Sequence, residues 1–147
     1  MPVQYIRRPD DTVGSVPHDV VVSCPYNINA DAVDNWVFVA DADYEVTRIV
    51  CVPAVAGSDG SAVTADVMKA SGTTAVASGA TVLSAVDSFN LKGTAHTIQI
   101  GTLSTTESSR RLTTNDRLGI NFAGTLTAAV GLIQINLKRI RSANAPY

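Results

Sequence analysis

The chain has few of the residues that catalysis, metal binding and membrane insertion require. Of its 147 residues only two are histidine, His18 and His96, and only two are cysteine, Cys24 and Cys51. These numbers argue against the histidine cluster of a cupin-type metal site and against a disulfide framework. No run of about 18 apolar residues occurs, so no membrane-spanning helix is expected. The sequence therefore predicts a non-enzyme without cofactor or metal, whose two thiols are buried and reduced, as in a protein folded in a cytoplasm.

Charge is also scarce. Charged residues make up 16% of the chain and the formal net charge is −2, whereas an average soluble domain has about 25% charged residues. A protein that binds nucleic acid without sequence preference shows a basic excess, so no direct nucleic-acid contact is expected. The one dense basic group, Lys138, Arg139 and Arg141, is interpreted as a solvated strand end. The low charge indicates that partners cover part of the surface.

Aromatic residues are only 5% of the chain, so the core depends on Val, Ala, Ile and Leu. Thr and Val are abundant and favour strands over helices. The longest strand pattern covers residues 44–55, and its apolar residues on both alternating faces predict an interior strand covered on both sides. Turn residues at 57–60 then lead to a second strand pattern at 61–70, so these two strands are expected to pair as a hairpin.

Alternating hydrophobicity predicts further strands at residues 18–24, 36–40, 96–103, 117–123 and 129–140. Asn115-Asp116 is expected to form the turn before residues 117–123. The residues expected to face inward in these strands are Ile98, Ile100, Leu118, Ile120 and Phe122, and Trp36 is expected in the core. The apolar phase of the last strand changes between Leu132 and Ile133, which indicates a bulge or a twist.

About eight strands and no sustained helix predict an all-β fold, an antiparallel two-sheet jelly-roll sandwich. Residues 81–85 fit either a strand or the start of a short helix. The sandwich is expected over residues 18–141. An extended N-terminal arm, residues 1–17, precedes it and a C-terminal tail, residues 142–147, follows it.

The arm is interrupted by three prolines, so it cannot form a long helix or a central strand. Its first residues are nevertheless largely apolar, and such side chains are costly to leave in water. The basic residues that follow can form charge-assisted hydrogen bonds to carboxylates of a partner. We therefore predict a docking element, with ordinary terminal disorder as the alternative. The candidate partner-contact residues are Val3, Tyr5, Ile6, Arg7 and Arg8.

Asp41, Asp43 and Glu45 alternate along the chain before the longest strand. Alternate residues of an extended chain face the same side, and three carboxylates can bind Ca²⁺. The segment lacks the glycine and asparagine spacing of a dedicated site, which favours a solvated acidic loop. No catalytic and no metal-binding residue is assigned.

Two stretches carry a family resemblance. The first, residues 44–79, contains Tyr-Glu-Val-Thr-Arg-Ile-Val from Tyr44, then Pro53, Gly57, Gly60, Val-Thr-Ala-Asp-Val-Met-Lys from Val63, and Gly72. The second contains Thr102-Leu103-Ser104, Arg111-Leu112, Asn115-Asp116-Arg117-Leu118, Phe122, Gly124-Thr125 and the final apolar strand. Over roughly residues 35–140 this layout resembles the jelly-roll decoration (cement) proteins of tailed double-stranded-DNA bacteriophage heads. The family often has Gly-Asp where this chain has Asn115-Asp116.

The resemblance implies a structural virion protein, assembled in the host cytoplasm, that forms homotrimers on the outer capsid surface. Such a protein bridges neighbouring capsomers, binds the major capsid protein and stabilises the shell against packaged DNA. The alternative is a carbohydrate- or receptor-binding β-sandwich module of a phage fibre or tail. Glycan sites stack sugars on exposed Trp or Tyr, and the only Trp here, Trp36, is expected to be buried.

Overall fold

A computed structural model describes the central part of the chain, residues 19–28, 34–84, 88–124 and 127–140. These residues form two antiparallel sheets of five strands each, which confirms the predicted all-β two-sheet sandwich. The predicted arm (1–17) and tail (142–147) lie outside the described residues.

Sheet A contains the longest strands of the chain. Its members are β1 (Val20–Ile28), β3 (Tyr44–Val55), β7 (Gln99–Ile100), β8 (Arg111–Leu112) and β10 (Ala129–Arg139). Their order is β1-β10-β3-β7, and β8 pairs with β3 further along the same edge. The strand β3 is therefore interior to the sheet, as predicted, but it is not covered on both faces, since Arg48 and Val55 are exposed.

Sheet B packs against sheet A across the core. Its members are β2 (Asn35–Val39), β4 (Thr64–Ala70), β5 (Ala80–Thr81), β6 (Phe89–Asn90) and β9 (Arg117–Ala123). Their order is β2-β9-β4-β5, and β6 also pairs with β4. Because β5 and β6 share one neighbour, and β7 and β8 share another, these ten strands occupy eight positions, the number that the sequence predicted.

Helical structure in the described residues is limited to two short elements. A 3-10 turn covers Val76–Ser78, and α1 covers Glu107–Arg110. No helix among the described residues is long and apolar enough to cross a membrane.

The predicted hairpin between residues 44–55 and 61–70 is wrong, since β3 and β4 belong to different sheets. The loop between them bonds to other loops instead of closing on itself. The Gly57 amide donates to the Leu91 carbonyl at 3.0 Å, and the Ser58 amide donates to the Thr127 carbonyl at 3.2 Å. With its backbone satisfied in this way, the loop carries the chain from sheet A to sheet B.

The apolar residues on both faces of β3 have a different origin from the one predicted. Arg48 lies opposite Asn136 while Val46 lies opposite Leu137, which leaves Thr47 as an extra residue. Such a bulge reverses which alternate residues face the core. Tyr44 and Val46 are buried before it, and Ile49, Cys51 and Pro53 are buried after it.

A second register shift lies between Val130 and Gly131, where Ala54 is the extra residue of β3. The predicted irregularity between Leu132 and Ile133 is therefore misplaced. Both extra residues belong to β3, and the inward residues of β10 keep a regular alternation through Ile133, Ile135 and Leu137. Leu132 lies on the other face, which explains the apparent change of phase.

The core lies between the two sheets and consists mainly of branched aliphatic side chains. Burying each of these contributes about 1.5–3 kcal/mol relative to exposure. The predicted inward positions Leu118 and Ile120 are 0% and 2% exposed, and Phe122 packs partly buried against the same cluster. The largest fully buried residues include Ile49, Leu83, Leu91, Leu112, Leu118, Ile133, Ile135 and Leu137.

Candidate interaction surface

An apolar patch covers part of the outer face of sheet A. We call it the sheet A patch and define it as Val50, Val52, Val55, Ile98, Ile100 and Leu132. Ile98 and Ile100 are 59% and 66% exposed, so the prediction that they face inward is wrong. Alternation indicated correctly that they share a side, but it does not say which side of a sheet faces the core.

Strand pairing places the patch residues together. Val50 lies opposite Ile100, Val52 opposite Leu132, and Val55 opposite Val130; directly opposite residues share one face of a sheet. Val50 is only 6% exposed, yet it does not belong to the core cluster between the sheets. It is therefore buried on the outer face, beside Ile100.

The described strand residues beside the patch are uncharged. On the same face β1 and β10 present Ser23, Pro25 and Gln134 at the level of the patch. Charge begins at one end of the sheet, with Arg48 and Lys138, both exposed. An apolar area without charge fits an apolar partner and gives no electrostatic attraction for a strongly acidic or basic one.

The outer face of sheet B differs from that of sheet A. Met68 and Val76 are 7% and 5% exposed but lie outside the core cluster. A Cβ added at Gly119 would lie 2.9 Å from both methyl groups of Val76, so the 3-10 turn packs directly on β9. The chain's own turn thus covers the part of this face around Gly119, whereas Trp36 and Val39 on the same face are exposed, as Ile98 and Ile100 are on sheet A.

Trp36 is 38% exposed, which corrects the expectation that it lies in the core. It sits opposite Gly119, on the outer face of sheet B. The Arg117 guanidinium stacks 4.3 Å from the centre of the Trp36 ring. Its Nη2 also donates to the carbonyls of Gly72 (2.7 Å) and Thr74 (3.1 Å). Arg117 therefore ties the turn over sheet B to the tryptophan.

The acidic run is divided among different partners. The Tyr44 hydroxyl donates to Asp41 at 2.6 Å, and this hydrogen bond lowers the pKa of the Asp41 carboxyl. Glu45 pairs with Arg110 at 3.1 Å, and the Asp43 carbonyl accepts the Ile140 amide at 2.8 Å. Among the described residues no group of three potential ligands could hold a metal ion. These separate contacts within the chain favour a structural role for Asp41, Asp43 and Glu45 over a shared metal site.

The other polar residues singled out from the sequence have structural roles where they are described. The His96 amide donates to the Pro53 carbonyl at 2.6 Å, and the exposed ring is carried on a positive-φ residue of a turn. Arg111 pairs with Glu107 at 2.7 Å. Lys138 and Arg139 are exposed at the end of β10, as expected. His18 and Arg141 lie outside the described residues.

Both cysteines are free, as the sequence predicted. Cys51 is fully buried and Cys24 is partly buried. Desolvation by burial raises the pKa of each thiol to about 11. The thiolate is the reactive form, so neither cysteine has the environment of a catalytic nucleophile. The Tyr26 hydroxyl lies 3.8 Å from the Cys51 sulfur.

Thiol titration checks this environment. We expect native protein at pH 8 to react slowly with a disulfide reagent, and unreduced protein in denaturant to yield two thiols per chain. Because the folded pKa of each thiol lies above its unfolded value, this part of the stability is complete below about pH 9. It decreases as the pH rises towards about 11. Recovery of no thiol from the denatured chain would contradict the assignment.

The predicted partner-contact residues Val3, Tyr5, Ile6, Arg7 and Arg8 lie outside the described residues. The sheet A patch was missed because Ile98 and Ile100 were assigned to the core. The lack of charge nearby was its only signal in the sequence. No protein-family model, curated protein or solved structure matches the chain.

Proposed function

We propose that this protein is a structural virion component, a homotrimer that decorates and cements the outer surface of a bacteriophage head. The observation that carries the proposal is the sheet A patch, an uncharged apolar surface on a rigid all-β core. A bridging protein needs such surfaces because contact with its partners has to bury apolar area. The partner in this proposal is the major capsid protein of the head.

We further infer that the sandwich is a jelly roll. Four sets of strand pairs are nested in sequence: β1 with β10, β2 with β9, β3 with β7 and β8, and β4 with β5 and β6. The pairs β3–β10 and β4–β9 join these sets side by side within each sheet. The first four strands alternate between the sheets, and the later strands return in the reverse order. Nested antiparallel pairs in two packed sheets are what two Greek keys produce, which supports the family resemblance seen in the sequence.

The direct test is decoration of phage heads. Heads assembled without this protein should show fewer surface protrusions in negative stain, and should lose DNA at a lower temperature than decorated heads. Sedimentation of the isolated protein at micromolar concentration should give a trimer. Heads of unchanged appearance and stability, or a purely monomeric protein, would contradict the proposal.

Removal of residues 1–12 tests the arm as a docking element. The truncation removes none of the residues that the structure describes, which begin at residue 19. We therefore expect a nearly unchanged melting temperature and a loss of binding to heads or of trimer association. The apolar side chains of the arm contribute about 1.5–3 kcal/mol each when buried in a partner. Unchanged binding and oligomeric state would reduce the arm to a tail, and an unfolded product would make it part of the core.

The alternative function, a carbohydrate- or receptor-binding module of a fibre or tail, is favoured by one observation. Trp36 is at the surface, where an aromatic ring can stack on a sugar. Its ring also stacks on Arg117, which leaves less of it accessible. A glycan array separates the two functions: binding that is lost in Trp36→Ala would support the module, and an array without signal would support the structural role.

A further inference from the structure

A polar cavity of about 290 Å³ lies at the end of the sandwich where β4 stops. We call it the hydroxyl cavity. Its wall combines the end of β4, the turns that follow this strand, and α1. The polar side chains of the wall are one ammonium and five hydroxyls, from Lys69, Ser71, Thr74, Ser78, Ser108 and Ser109. We propose that the hydroxyl cavity binds phosphate or sulfate, a function that goes beyond the proposed structural role.

The groups of the wall match an oxyanion better than a cation or a sugar. An ammonium only donates hydrogen bonds and a hydroxyl can donate one, whereas the oxygens of phosphate and sulfate accept them. Among the described residues no carboxylate and no aromatic ring lines the cavity, so the preferred ligands of Ca²⁺ and a stacking surface for a sugar are missing. Pockets for drug-sized ligands measure about 300–1,000 Å³, so this smaller cavity suits a small ion.

The five hydroxyls are available to a ligand. Within the described part of the chain none of them forms a hydrogen bond with another residue. The backbone that carries them is held by amides that donate within their own turns, each at 3.1 Å, from Thr74 to Ser71, from Ser78 to Ala75 and from Ser109 to Thr106. A site built on fixed turns loses little conformational freedom when a ligand binds.

The Lys69 ammonium keeps one donor for the ligand. It donates to the Ser108 carbonyl at 3.0 Å and lies 3.4 Å from the Asp116 carboxylate. An ammonium has three N–H donors, so two contacts within the chain leave the third for an anion. Because Ser108 is itself part of the wall, the same contacts hold the charge beside the cavity.

The charges around the hydroxyl cavity favour an anion. Arg117 Nη2 donates to the Thr74 carbonyl at 3.1 Å, so a second cation lies behind the wall. The lysine and this arginine together outweigh the carboxylate of Asp116. Glu107, which precedes Ser108 in α1, is paired with Arg111 at 2.7 Å. A local excess of positive charge raises the concentration of anions at the site.

Titration of the full chain with inorganic phosphate and with sulfate, followed by amide NMR shifts at pH 7, tests the site. Sodium chloride keeps the ionic strength constant and serves as the control anion. We expect saturable shifts at the amides of Ser71, Ser78 and Ser109. Shifts that do not saturate, or that saturate only elsewhere in the chain, would overturn the inference. Ribose 5-phosphate identifies the source of the ligand: equal affinity assigns the site to a phosphate group on a larger molecule, and weaker binding assigns it to the free ion.

A pair of matched double variants shows whether the hydroxyls bind the ion. Ser78→Ala with Ser109→Ala removes two hydroxyls of the wall and should weaken phosphate binding at least fivefold, because each hydroxyl donates a hydrogen bond to the anion. Ser58→Ala with Ser61→Ala is the control, since both residues are exposed in the loop between β3 and β4 and should leave the affinity unchanged. Equal affinities of the two double variants would overturn the inference and leave the proposed structural role in place.

Discussion

Substitution of Gly131 by alanine is expected to lower the free energy of unfolding by about 3 kcal/mol. Gly131 lies within β10, between Tyr26 of β1 and Pro53 of β3. An added Cβ would overlap the Tyr26 hydroxyl and would lie 2.5 Å from the Val52 carbonyl oxygen. The carbonyl belongs to the neighbouring strand, so it cannot move without breaking the ladder.

Tyr26 is equally constrained. It is 6% exposed, and its ring meets that of Phe122 edge-on at 6.2 Å. Moving it away from Gly131 would therefore open the core at the edge of sheet A. Thermal or urea unfolding monitored by circular dichroism measures the effect, which corresponds to a melting temperature lower by about 10 °C or more.

Gly60→Ala is the matched control for Gly131→Ala. A Cβ at Gly60 meets no atom within 4 Å, and its φ lies outside the left-handed region. This variant should change stability by no more than about 0.5 kcal/mol. Adding Tyr26→Phe to Gly131→Ala should restore part of the loss, because it removes the hydroxyl that the new methyl group would overlap. A Gly131→Ala protein as stable as the control would contradict the packing described for this strand pair.

The second large effect is expected at Asp116, where substitution by alanine should lower the free energy of unfolding by about 2–4 kcal/mol. Asp116 is 6% exposed, and its carboxylate accepts the Thr113 amide at 2.8 Å and the Thr113 hydroxyl at 3.1 Å. The Lys69 ammonium lies 3.4 Å away and is itself mostly buried. Alanine would leave the amide and the ammonium without this partner.

The turn around Asp116 also joins β2 to β9. The Ala40 amide donates to the Asp116 carbonyl and the Asn115 amide donates to the Ala40 carbonyl, both at 2.8 Å. Loss of the carboxylate should therefore loosen one end of sheet B, with faster amide hydrogen exchange at Ala40 and Asn115. Denaturant unfolding and hydrogen exchange measure the two effects.

Two variants test whether charge or hydrogen bonding at Asp116 matters more. Asp116→Asn keeps an acceptor for the Thr113 amide and should cost less than Asp116→Ala. Glu107→Ala is the control, because it removes an ion pair with Arg111 in which both side chains are at least half exposed. Such pairs contribute about 0–1 kcal/mol. Equal losses for Glu107→Ala and Asp116→Ala would refute the structural role of the buried carboxylate.

The sequence alone determined the features that depend only on residues close together along the chain. Strand propensity of Val and Thr, with turn residues between the runs, gave the all-β class and the number of strand positions. The turn at Asn115-Asp116 is also local, since Asn115 adopts a positive φ of 73° that asparagine tolerates. The inward positions Leu118 and Ile120 followed from alternation with polar neighbours.

The tertiary structure decided which strands pair and which face of each is buried. The 44–55 and 61–70 segments looked like a hairpin, but the loop between them bonds to Leu91 and Thr127, more than 30 residues away in the chain. The bulge at Thr47 reversed the faces of β3 through its pairing with β10. Ile98 and Ile100 alternate like core residues. They face outward because strand pairing places Ile100 opposite Val50, which lies on the outer face of sheet A. Alternation separates the two faces of a strand, and only packing against the other sheet selects the one that loses contact with water.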